Sequence, residues 1–385
     1  MVKFSRLFAA KTENKPNGGH AAPVPRQLNR LLLCLALAII PCIALGQEPK
    51  PSSCVIAFYY GWYGNPEFDG AYEHWSHTVA DQSGKRFPGR DDIGANYYPQ
   101  AGCYSCNHPK TLDRQMRELK SAGVGVISSS WWGKNSPTDK LLPKLLDAAS
   151  RHGLKVNIHV EPFAGRNART TREAIVYILN TYGPHPAFHR GKEFGGRPVF
   201  FVYDSYKTPA EEWAQVLSPS GTSTIRATPF DATVIGLWVK EQDGDFMTTG
   251  YFDGFYTYFA ADGFTYGSTC ANWRKLNEFA RSTSKIFVPS VGPGYIDTRI
   301  RPWNGSTTRD RAQGAYYDRE FKTALDSGAP LISITSFNEW HEGTQIEPAM
   351  PKAIAGFKYL DYSPLQPDYY LKRTAYWARQ LQNQR

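Results

Sequence analysis

The sequence predicts an α/β fold, a single (β/α)8 barrel of the TIM type, on three observations. Eight short apolar runs recur between residues 55 and 337, mostly without the alternation of a half-exposed strand. Helix-like patterns or long loops separate them. The alternative, a doubly wound open sheet, needs a Gly-rich turn after its first strand, and Gly61-Trp62-Tyr63-Gly64 has the wrong spacing. A length of 385 residues fits two ordinary domains or one large barrel, and the regular alternation favours one.

The expected strands are Val55–Tyr60, Val124–Trp132, Lys155–Glu161, Pro198–Tyr203, Thr233–Val239, Phe252–Phe259, Ile286–Val291 and Leu331–Phe337. A helix opens at Thr111-Leu112-Asp113 and closes at Ala122-Gly123, with a cap residue at each end. The next runs over Leu141–Arg151 and stops at Gly153. Thr171–Tyr182, Pro209–Leu217, Trp273–Ser282 and Arg309–Asp326 carry similar patterns. The first unit has a very long connection, residues 61–110, and no clear helix fills 240–251.

Ahead of the barrel, residues 1–30 hold six basic side chains against Glu13, a local charge of +5. The whole chain carries +9, so the remaining body carries only +4, and nucleic-acid binding loses its support. Composition, with 14% aromatic and 21% charged residues, is globular and excludes disordered, collagenous and coiled-coil readings. The apolar, uncharged stretch at 31–46 reads as a signal anchor or a signal peptide cleaved after Ala44-Leu45-Gly46. The long basic arm favours the anchor, with residues 1–30 in the cytosol, 47–53 as a short stem and 54–385 as the luminal barrel domain. Cys54, Cys103, Cys106 and Cys270 allow three pairings; Cys103-x-x-Cys106 fits a local disulfide or two thiols better than zinc or redox chemistry. Asn304-Gly305-Ser306 is a glycosylation sequon.

In a barrel the chemistry collects where strands end. Those ends are aromatic and acidic here: Tyr59-Tyr60 after the first, Trp131-Trp132 after the second, His159-Val160-Glu161 after the third and Tyr256 after the sixth. Aromatic planes stack on the C–H faces of sugars, and acidic side chains meet their hydroxyls. Glu339 and Glu342, three apart past the eighth strand, can aim two carboxylates into one pocket, the requirement of glycoside hydrolysis. No metal or cofactor is expected, because His341-Glu342-Gly343-Thr344-Gln345 lacks the second histidine of a zinc-protease helix.

The string Phe337-Asn338-Glu339-Trp340-His341-Glu342-Gly343-Thr344-Gln345-Ile346-Glu347 resembles the signature of glycoside hydrolase family 99, the endo-α-1,2-mannosidases. So do Tyr59 to Pro66, His159 to Pro162, Phe252 to Ala260 and Val291 to Thr298, and the likeness extends over residues 54–380. The resemblance implies a metal-independent, retaining barrel hydrolase acting inside mannose chains; a monomer is expected. Its eukaryotic substrate would be a glucosylated high-mannose N-glycan, and its setting the Golgi membrane as a single-pass type II protein. It implies Glu339 as base for the sugar's own 2-hydroxyl, through a 1,2-anhydro intermediate, and Glu342 as acid/base. Tyr59, Tyr60, Trp131, Trp132, His159, Glu161, Tyr256, Tyr295 and Arg301 become candidates for the sugar pocket. Trp132 is a departure: the resemblance implies Tyr there in animal enzymes and Trp in bacterial mannan-degrading ones. A secreted mannanase and an inactive glycan-binding barrel stay open as alternatives.

Overall fold

The computed structural model describes residues 50–81, 84–86 and 91–384. The basic arm, the apolar segment and the start of the stem lie outside the described residues. Among the described residues no helix is long and apolar enough to cross a membrane.

One parallel sheet forms the centre. Its strands are β1 (Ser52–Tyr59), β2 (Val124–Trp131), β3 (Lys155–Val160), β4 (Val199–Val202), β5 (Thr233–Leu237), β6 (Gly254–Tyr256), β7 (Ile286–Val288, resumed at Ser290–Val291) and β8 (Ile332–Ile334). Each pairs with the next in sequence, and β8 pairs with both β1 and the second half of β7. The ladder breaks within β7, at Pro289, which has no N–H to donate. Side chains bridge that gap: Tyr258 N–H donates to Ser290 Oγ at 2.8 Å and Ser290 N–H to Thr257 Oγ1 at 2.9 Å. The sheet is a (β/α)8 barrel.

A helix follows each strand: α1 (Pro109–Ser121), α2 (Pro137–His152), α3 (Ala168–Thr181), α4 (Ala210–Leu217), α5 (Asp243–Thr249), α6 (Trp273–Ser282), α7 (Ala315–Asp326) and α8 (Tyr369–Asn383). α2 and α3 begin earlier than their apolar periodicity, because caps set their starts. Ser136 accepts the Asp139 N–H ahead of Pro137, and Asn167 and Thr170 form a reciprocal capping box. Two helices escape the sequence reading. α5 has only seven residues, with Gly244, two Asp and two Thr, poor helix formers all. Its start is held instead by Asp243, whose carboxylate accepts the N–H groups of Val239 and Lys240 at 2.6 and 2.7 Å. α8 buries a stripe of Tyr370, Leu371, Thr374, Ala375, Ala378 and Leu381, periodic but weakly apolar. Cys106 and Cys270 are buried thiols, so Cys103 and Cys106 close no local bridge.

Strand alternation decides which aromatics enter the barrel. Phe58 points inward, its ring 5.8 Å from Phe201 and 5.6 Å from Tyr256. Outside the sheet, Glu320 on α7 is wholly buried and accepts the Gly292 N–H at 2.7 Å, just past β7. Burial pushes its carboxyl from the ordinary 4.5 up to about 8. The folded state therefore holds this proton more tightly than the unfolded chain. Its stabilisation is full below about 4.5 and is lost as pH rises towards 8. Glu320→Gln is expected to melt higher than the parent at pH 8, by up to a few kcal/mol of stability, with the gap closing at pH 5. Paired melting curves check this; a gap independent of pH would refute it.

Candidate active site

The turn after β8 is built to hold two glutamates. Phe337 N–H extends the ladder to Phe58 O at 2.8 Å, and Glu347 N–H returns to Phe337 O at 3.0 Å, closing the loop. Asn338 imitates a strand: its amide receives the Tyr60 N–H at 2.8 Å and donates to Tyr60 O at 2.9 Å. Gly343 has φ +62°, and a Cβ there would meet Ile296 at 2.6 Å, so the loop requires glycine. Arg311, stacked among Tyr97, Tyr362 and Tyr370, donates to the carbonyls of Gly343 and Gln345, both at 2.8 Å.

Glu339 is buried. Its carboxylate accepts the His341 N–H at 3.1 Å and its own N–H donates to Ser336 Oγ at 2.7 Å. Glu342 is less buried, with 27% of its side chain exposed and Arg301 at 3.6 Å. Burial, and then the charge of Glu342, push the Glu339 carboxyl well above its usual range. Burial also raises Glu342, against the pull of Arg301. Buried Asp297 clamps this side, accepting Arg301 Nη1 at 2.8 Å, Tyr295 OH at 2.9 Å and the Asn304 amide at 2.9 Å.

Two hollows flank the pair. One of about 270 Å3 is lined by Glu342, Tyr258, Tyr295, Arg301, Phe264 and Trp303. The other, about 380 Å3, is lined by Trp132, Trp62, His74 and Glu73. Aromatic contacts run between them: Trp132 to Trp62 at 6.3 Å, Trp62 to Tyr60 at 4.7 Å, and Tyr60 OH against Tyr258 OH. Two larger surface hollows, about 510 Å3 each, contain neither glutamate.

The expected sugar residues divide by strand face. Tyr60, Trp132, Tyr295 and Arg301 reach the cleft. Glu161 joins it through Ser130, whose Oγ donates to Glu161 at 2.8 Å and accepts Trp132 Nε1 at 3.1 Å. His159 and Tyr256 are fully buried one layer below, with His159 Nδ1 3.1 Å from Glu161 and Nε2 2.7 Å from Tyr256 OH. Tyr59 and Trp131 point away from the cleft. Each neighbours an inward residue and so faces the helices: Tyr59 OH donates to Gln115 on α1 at 2.7 Å, and Trp131 Nε1 to Asp139 on α2 at 2.9 Å. Sequence reasoning missed Trp62, His74, Tyr258, Asp297 and Trp303. For Tyr258 the signal was present, two residues after Tyr256 at the same strand end. The others sit in long loops.

Residues 52–383 match glycosyl hydrolase family 99. The chain belongs to that family. This family 99 chain is therefore a glycoside hydrolase, with the barrel and the paired glutamates just described. It is 46% identical over 355 residues to a glycoprotein endo-alpha-1,2-mannosidase of Xenopus laevis, covering 88% of this chain and 79% of that protein. The corresponding protein of Rattus norvegicus is 45% identical over 361 residues, 89% and 78% of the two chains. Among solved structures, the GH99 endo-alpha-mannosidase from Bacteroides thetaiotaomicron superposes with a TM-score of 0.83 at 50% identity, covering 87% of this chain and 99% of that one.

Proposed function

We propose that this family 99 hydrolase is a retaining endo-α-1,2-mannosidase that cleaves an internal mannosidic bond of glucosylated high-mannose N-glycans and releases a glucosyl-mannose unit. The observation that carries the reading is the single turn bearing Glu339 and Glu342 in an aromatic cleft, in a chain whose relatives bear that name. Glu339 removes the proton of the mannose 2-hydroxyl. The 2-oxygen closes on the anomeric carbon as the glycosidic bond breaks, and Glu342 gives its proton to the departing oxygen. Glu342 then takes a proton from water, which opens the anhydro sugar, and Glu339 returns its proton to the 2-oxygen. Inversion twice gives retention. Tyr60, Glu161, Tyr295 and Arg301 hold the reacting sugar and the two carboxylates, with His159 and Tyr256 as support beneath. Trp132 stacks the sugar beyond the cleavage site, and the hollow at Trp303 takes the leaving glycan.

Residues 1–30, 31–46 and 47–53 serve in the same reading as cytosolic arm, signal anchor and stem of a monomeric Golgi type II protein, supported by their charge and hydropathy. Product analysis tests the activity. Glucosylated high-mannose glycan should yield a glucosyl-mannose disaccharide and a glycan two sugars shorter. Release only from unglucosylated chains would favour a mannanase, and no release from either a glycan-binding barrel. Trp132→Ala is expected to raise KM about tenfold, ~1.4 kcal/mol, with kcat less affected; an unchanged KM would remove Trp132 from the subsite.

A further inference from the structure

The family 99 chemistry leaves one cluster beside Glu339 unused. His74, from the long connection after β1, stacks on Trp62 at 3.8 Å between ring centres and meets His341 edge-on at 4.9 Å. One ligand atom from each of His74, Glu339 and His341 lies within 4.8 Å of the others. His341 is 3% exposed, its Nδ1 is 3.8 Å from Glu339 Oε1, and neither ring nitrogen has a hydrogen-bond partner among the described residues. A buried imidazole with both nitrogens unsatisfied costs free energy, and a ligand would recover it. His74 also lines the open hollow beside Trp132, which gives an ion a route in.

We propose that His74, Glu339 and His341 form an inhibitory site for a borderline transition-metal dication, Zn2+ or Cu2+. Two imidazoles and a carboxylate select these ions over Mg2+ or Ca2+, which prefer oxygen ligands. Burial keeps both imidazoles neutral, the ligating form. Tetrahedral bonds of about 2.0–2.1 Å put ligand atoms roughly 3.3 Å apart, so the widest gap between the side chains closes by up to about 1.5 Å on the ion. His74 is the less buried of the two imidazoles and lines the open hollow, so it is the member placed to shift. The bound ion holds the Glu339 carboxylate, which then cannot accept the 2-hydroxyl proton. The inhibitory half of the proposal rests on the role given to Glu339 above; the binding half does not.

The test uses the full chain, stripped with chelator and titrated with Zn2+ by calorimetry and with Cu2+ by electron paramagnetic resonance. One ion per chain is expected, with nitrogen hyperfine structure from two imidazoles in the copper spectrum. His74→Ala should weaken Zn2+ binding at least tenfold, and His341→Asn likewise. Turnover by the parent should fall at least tenfold on saturation with Zn2+ and return with chelator. Lack of stoichiometric binding, a spectrum without nitrogen coupling, or equally tight binding by His74→Ala would overturn the site. Tight binding with undiminished turnover would overturn the inhibition. The hydrolase reading is tested apart from this, with chelator present throughout.

Discussion

Glu342→Gln is expected to lower kcat on a glycan substrate by about 10²–10⁴-fold while KM stays close to the parent value. The amide is isosteric, and the loop's own hydrogen bonds, from Phe337, Asn338 and Glu347, do not involve this side chain, so the fold persists. What disappears is the proton for the departing oxygen and the base for the water. Glu339→Gln should be as damaging for a different reason, loss of the base that makes the 2-oxygen nucleophilic. The two variants separate on a substrate with an acidic leaving group. There the first step needs little protonation, so Glu342→Gln should release the leaving group in a rapid first turnover, whereas Glu339→Gln should not. Stopped-flow measurement of the first turnover decides. Equal losses on both substrates would sink the division of roles, and undiminished turnover by Glu342→Gln would sink the hydrolase site itself.

How far the sequence carried the reading depended on whether a feature was local. The strands were legible because each is a short run of β-formers buried on both faces, and the candidate glutamate pair stood out because Glu339 and Glu342 are three residues apart on one loop. Faces were harder. Tyr59 and Tyr60 are adjacent, equally aromatic and both buried, yet alternation sends one to Gln115 and the other to the cleft. The same holds for Trp131 and Trp132, of which only Trp132 is exposed, at 39%. Choosing between such neighbours needs the strand register, which a pair of like residues does not reveal. Long-range juxtapositions were out of reach altogether. His74 meets His341 across more than 250 positions, and α5 forms against its own propensity because tertiary packing and the Asp243 cap support it.

The catalytic loop also depends on a hub that bears no catalytic role, and its removal should have the largest effect on stability. Glu347 is 1% exposed and accepts four donors: Tyr104 OH at 2.7 Å, Arg114 Nη2 at 2.8 Å, Gln115 Nε2 at 3.0 Å and Trp340 Nε1 at 3.0 Å. Glu347→Ala strips all four at once. Arg114 keeps Glu118, at 2.9 Å, and the indole keeps Tyr104 OH, at 3.2 Å, but the tyrosine and glutamine donors are left in a cavity sealed from solvent. Breaking a buried pair in this way costs about 3–5 kcal/mol. In a domain of this size that is a fall in Tm of roughly 4–7 °C. Trp340 stands between Glu339 and His341, so losing the shorter of its two indole bonds should also loosen the loop, with kcat reduced about tenfold at temperatures where the variant remains folded. Glu347→Gln keeps an acceptor oxygen and should recover part of both losses. Melting curves and turnover measured at 20 °C below each Tm separate the two effects. A Tm within about 2 °C of the parent would show that the neighbouring donors find other partners, and that Asn338, Arg311 and the backbone bonds suffice to hold the loop.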